Sequence, residues 1–85
     1  MSGLALTKAE ARQVEAMREI MAPFGLPSEV LVGGRHKQLV FTLPDASKRT
    51  LILACTPRDP DGAVKTARSH ARRLRDRLIE EITRR

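Results

Sequence analysis

Apolar residues recur along this chain with two different periods, and the change between them marks out its elements. Val14, Met17, Ile20 and Met21, continued by Phe24, return every three or four residues, the spacing that puts side chains on one face of an α-helix. Lys8, Arg12, Glu15 and Glu19 occupy the other side. Ahead of this stripe, Thr7-Lys8-Ala9-Glu10 has the spacing of a capping box, in which a hydroxyl and a carboxylate satisfy amide donors at a helix start. The helix is expected to run to about Ala22; Pro23, Gly25 and Pro27 stop it, with Gly25 as the residue just past its end.

The period then falls to two. Val30-Leu31-Val32 and Leu39-Val40-Phe41-Thr42-Leu43 flank the stretch Gly33-Gly34-Arg35-His36-Lys37. Paired glycines between two such runs signal a hairpin, because the turns that match strand twist need positive φ. Alternation sends Leu39, Phe41 and Leu43 to the core face and Val40 and Thr42 to the other; carried back to residue 36, it leaves His36 exposed on the outer face. Pro44-Asp45-Ala46-Ser47 reads as a turn, and Thr50 to Thr56 as a third strand with Leu51, Leu53 and Cys55 inward. Asp59-Pro60 then offers a capping acceptor and a first-turn proline to a second helix. Along that helix Val64, Ala67, Ala71, Leu74, Leu78 and Ile82 form an apolar seam.

Beside this seam Lys65, Arg68, Arg72 and Arg75 fall in one stripe, with His70, Arg73 and Arg77 on the opposite flank. Arg72–Asp76 and Arg77–Glu81 are spaced to pair along the helix. The predicted architecture is therefore α+β, in the order α-β-β-β-α: a three-stranded antiparallel sheet with both helices packed on one face and the other face open. Eighty-five residues make a single domain with one small core, so any site must lie on its surface.

Charge adds a direction to this frame. The net charge is +6, but residues 1–29 carry −1, residues 30–56 carry +3 and residues 57–85 carry +4. The positive field belongs to the hairpin and the last helix, which points to a polyanionic partner, most commonly nucleic acid. Phe24 and Phe41 are the only aromatic residues, which argues against a platform for stacking bases. Cys55 is the single cysteine, so no intrachain disulfide forms and a reducing compartment fits. The first six residues are too short and uncharged for a signal peptide, and no apolar run approaches bilayer length; a soluble cytoplasmic protein, away from membranes, is expected. The two histidines are isolated in sequence and the acids dispersed, so neither a metal centre nor a cofactor is expected.

The α-β-β-β-α order with a glycine hairpin bearing His36 resembles the double-stranded-RNA-binding-domain fold. In those domains a Gly-Pro-x-His hairpin enters the minor groove and lysines near the start of the last helix span phosphates. Gly33-Gly34-Arg35-His36 and Lys65 with Arg68 look like these two regions. The chain more closely resembles the HicA-like messenger-RNA interferase toxins and related small prophage-encoded proteins. There a Gly-Ser-His turn leads into a strand with an aromatic residue, as Gly34-Arg35-His36 leads to Phe41. The resemblance implies that His36 is the catalytic residue and that an antitoxin-like protein is a partner.

Three functions follow as expectations. As an RNA-binding module, the leading reading, the protein would present Gly33, Gly34, Arg35, Lys37, Lys65, Arg68, Arg72 and Arg75 to phosphates, since A-form RNA is read by shape and 2′-hydroxyls; duplex DNA is the competing ligand. As a metal-independent ribonuclease it would use His36 as general acid or base, with Arg35 and Lys37 stabilising charge on the phosphorane. As an interaction module it would pair Val40 and Ile52, or an exposed strand edge, with a second copy or an antitoxin-like protein.

Overall fold

The structure, a computed structural model, describes residues 6–33, 36–54 and 58–84. Helix α1 spans Lys8–Met21, strands β1, β2 and β3 span Ser28–Gly33, His36–Thr42 and Lys48–Ile52, and helix α2 spans Pro60–Thr83. This is the order that the two periods predict. The capping box forms: Thr7 Oγ1 accepts from the Glu10 N–H at 3.1 Å, and Glu10 Oε1 accepts from the Thr7 N–H at 2.9 Å. Beyond α1 the chain tightens into a 3₁₀ turn over Ala22–Phe24, and Gly25 ends it at φ 62°, a left-handed conformation that costs a residue without Cβ little.

The strands form one antiparallel sheet in the order β1-β2-β3. Its register aligns Val30, Leu39 and Leu51 across the three strands. Leu39, Phe41, Leu51 and Leu53 meet Val14, Met17 and Met21 of α1 and Ala67, Ala71, Leu74 and Leu78 of α2 in one cluster. Both helices therefore cover one face of the sheet, and the small Ala67 and Ala71 let α2 come close to its neighbours. Among the described residues no helix is long and apolar enough to cross a membrane.

Several local expectations are corrected. Gly33 is the last residue of β1 and pairs with His36, so the strand ends enclose residues 34 and 35 rather than the glycine pair. Strand β3 begins at Lys48, two residues before the expected Thr50, and ends at Ile52. Leu53 still donates its N–H to the Lys37 carbonyl at 2.9 Å. The inward placement expected of Cys55 concerns a residue outside the described ones. Val40 does lie on the outer face, but Glu29 and Thr50 flank it in register and leave it 4% exposed. Leu31 and Ile52, not Val40, are the apolar side chains that this face exposes.

At the other end, Asp59 is the N-cap of α2 and Pro60 its first residue, yet the Asp59 side chain makes no capping hydrogen bond. It lies over Gly62, where a Cβ would come within 2.6 Å of its Oδ2. Ile82, expected in the seam, is 61% exposed. It lines, with Leu78, a recess whose other apolar walls include Phe24, Leu26 and Leu43, so the seam continues past the closed core into an open pocket. Nor do the expected pairs form along α2. Asp76 meets Arg75 at 3.1 Å, and Glu81 meets Arg49 of β3 at 2.9 Å, an ion pair that fastens the helix to the sheet edge.

Candidate nucleic-acid interface

Alternation along β2 separates two side chains that the sequence placed together. His36 is exposed on the outer side, while Lys37 turns inward with Leu39 and Phe41. There Lys37 Nζ donates to Glu10 Oε1 at 2.8 Å; Glu10 is 1% exposed. Burial alone would push the Glu10 carboxyl up. The hydrogen bonds from Lys37 and Thr7, with the attraction of the ammonium, outweigh it and hold the pKa below the ordinary carboxylate value. Lys37 was expected to offer its charge to a phosphate beside His36. It instead ties β2 to the first turn of α1, on the opposite face.

What the fold sets beside His36 is a different group of residues. An open groove of about 540 Å³ runs between the His36 end of the sheet and the first half of α2. His36 lines it from β2, Arg58 from the segment leading into α2, and His70 from the third turn of that helix; Ile52 and Ala54 contribute apolar surface. Ala63, Thr66 and His70 recur at three and four residues, so one flank of α2 supplies that wall. The other side is held by Gln13, which is 2% exposed. Its Nε2 donates to the Ala54 carbonyl at 3.0 Å and its Oε1 accepts from the Ala54 N–H at 2.9 Å. A side-chain amide thus does for Ala54 what a neighbouring strand does within the sheet, and it fixes the chain where the groove passes over it.

The predicted basic stripe lies on the other flank of α2. Arg68 faces α1, 3.9 Å from Glu19, and two turns earlier Asp61 meets Arg12 at 2.8 Å. Arg75 pairs with Asp76, while Lys65 and Arg72 are exposed with no ion pair among the described residues. At about 100° per residue, Arg73 and Arg77 share the flank of His70 rather than that of Arg68. The structure therefore joins His36 to His70 and Arg58, with Gly33 adjoining through its pairing to His36. It does not join His36 to Lys65, Arg68, Arg72 and Arg75. Gly34 and Arg35 lie outside the described residues.

His70 and Arg58 are the two groove residues that sequence reasoning left out of the site. The helical wheel had already set His70 opposite the lysine-arginine stripe, but a wheel does not say which flank turns toward β3. Among the described residues no group of three or more His, Cys, Asp and Glu side chains is arranged to hold a metal ion. The arrangement can bind an anion through Arg58, and it can donate, accept or move protons through two imidazoles. In comparisons with known proteins, no family model, curated protein or solved structure matches this chain.

Proposed function

We propose that the protein binds RNA, with the groove of His36, Arg58 and His70 as the central contact and the outward cations of α2 as flanking phosphate contacts. The observation that carries this reading is the convergence of two imidazoles and a guanidinium from three separate segments, in a chain of net charge +6. Arg58 suits a phosphate because its fork of N–H groups matches two oxygens at once. The exposed imidazoles can hydrogen-bond a phosphate oxygen or a 2′-hydroxyl, the group that separates RNA from DNA. Lys65 and Arg72 have no carboxylate to displace among the described residues, so they are the members of the predicted stripe most available to phosphates. The α-β-β-β-α order and the histidine at the first hairpin support kinship with the HicA-like interferases and the double-stranded-RNA-binding domains, and with it a cytoplasmic setting.

Titrations against single-stranded RNA, duplex RNA and duplex DNA at two salt concentrations test the reading. RNA is expected to bind more tightly than DNA, with affinity falling steeply as salt rises. Equal, salt-insensitive and weak binding to all three would refute it.

A second reading, cleavage of RNA through His36, is favoured by one observation: the groove that His36 lines holds a second imidazole, that of His70. Transfer of a phosphodiester to the neighbouring 2′-hydroxyl needs one group to take a proton and another to give one. Incubating the protein with an RNA oligonucleotide in the presence of a chelator tests this, since His36→Ala is then expected to abolish cleavage while weakening binding only in part.

A further inference from the structure

We infer that His70 is the second proton-transfer residue of the groove, acting with His36 on a single-stranded RNA phosphodiester while Arg58 holds the phosphate; this rests on the cleavage reading above. His36 and His70 are the only two histidines of the chain. They stand 34 positions apart in sequence, on a strand and on a helix, and the fold brings both to the lining of one open groove. Arg58 lines the same groove and remains cationic throughout the range in which imidazoles titrate.

The reaction balances within this set. The neutral imidazole takes the proton of the 2′-hydroxyl as its oxygen forms a bond to phosphorus. The imidazolium gives its proton to the 5′-oxygen as the P–O5′ bond breaks. The products are a 2′,3′-cyclic phosphate and a 5′-hydroxyl, and no water or co-reactant is consumed. Afterwards the two histidines have exchanged protonation states, and exchange with solvent restores them because both are exposed. Arg58 carries no proton in this scheme; its guanidinium offsets the extra charge on the five-coordinate phosphorus. Single-stranded RNA is the substrate because attack requires the 2′-oxygen, phosphorus and 5′-oxygen to fall in line, and an A-form duplex holds them out of line.

The pH dependence follows from the same groups. Among the described residues the other charged side chain lining the groove is Asp59; α1 contributes the neutral Gln13, and Lys37 of β2 is held by Glu10. Transfer by this pair requires one imidazole neutral and the other protonated at once, which gives a rate that rises and then falls with pH.

The test uses the full chain, a single-stranded RNA oligonucleotide and its all-deoxy counterpart, with chelator present, and reads rate and affinity together for the parent, His36→Ala and His70→Ala. Both histidines are exposed, so thermal melts of the variants are expected to match the parent. The parent is expected to leave cyclic-phosphate ends on RNA and no product from DNA. Each variant is expected to lose about 100-fold or more in rate, a loss well beyond any accompanying fall in its affinity for RNA, and each to lose one limb of the pH profile. If the parent cleaves and His70→Ala keeps the parental rate and a two-limbed profile, the role of His70 is overturned while cleavage through His36 stands. Binding without cleavage by the parent overturns both, and leaves RNA binding intact.

Discussion

Replacing Lys37 by methionine keeps the aliphatic stem but removes the ammonium from Glu10, whose side chain is 2% exposed and receives Lys37 Nζ at 2.8 Å. Breaking a buried ion pair by deleting one partner costs about 3–5 kcal/mol, because the other charge stays behind unpaired. Two features reduce that figure here: Lys37 is 22% exposed, and the Thr7 N–H still donates to Glu10 at 2.9 Å. A loss of about 2–3 kcal/mol at pH 7 is expected, which for a domain of this size lowers the melting temperature by about 10 °C or more. Urea melts at pH 7 and pH 4 then separate the electrostatic cause from lost packing. In the parent the folded Glu10 pKa lies below its ordinary value of 4.5, so the pair's contribution is present above that value and drains away as pH falls through the lower, folded one. In the Lys37→Met protein the lowering by the ammonium is gone while burial still pushes the carboxyl up and Thr7 still holds it down, so the stabilisation lost on acidification is smaller than in the parent. A loss below about 1 kcal/mol at pH 7, or the same acid sensitivity in both proteins, would refute the reasoning.

Three further outcomes are expected. Phe41→Ala should destabilise the fold by about 3–5 kcal/mol in denaturant melts, since the ring is 2% exposed at the centre of the cluster between sheet and helices. Gln13→Leu should cost about 2 kcal/mol by the same assay, because it leaves the Ala54 N–H and carbonyl without the amide that serves both. Reversing Lys65 and Arg72 to Glu should leave the melt unchanged, weaken RNA binding, and reduce the slope of log affinity against log salt by about two contacts' worth.

Much of this fold is written locally. The capping box at Thr7, the left-handed Gly25 and the Asp59-Pro60 helix start each depend on residues within one turn, and each could be read in place. The same is true of the strand faces: the alternation that turns Leu39 and Phe41 inward also turns Lys37 inward, so its loss from the binding surface was available from the pattern. Its partner was not. Glu10 completes a local cap and a pair spanning 27 residues at once, and only the packing of α1 against β2 reveals the second role. The role of Gln13 was hidden for the same reason, since Ala54 lies 41 residues away. The candidate site was half legible. Exposure of His36 followed from strand phase, but its union with His70 depends on which flank of α2 turns toward β3, and both flanks carry cations. Ile82 misled for a related reason, because an apolar seam along a helix does not say where the packing around it stops being closed.

The most direct test follows the imidazole signals of His36 and His70 by NMR while a short single-stranded RNA is added. With only two histidines in the chain, the signals are separated and assigned by the His36→Ala and His70→Ala variants. Both imidazole signals are predicted to shift together and to saturate with one dissociation constant. RNA that binds with both imidazoles unmoved, or that shifts His36 and leaves His70 in place, would contradict a shared groove as the site.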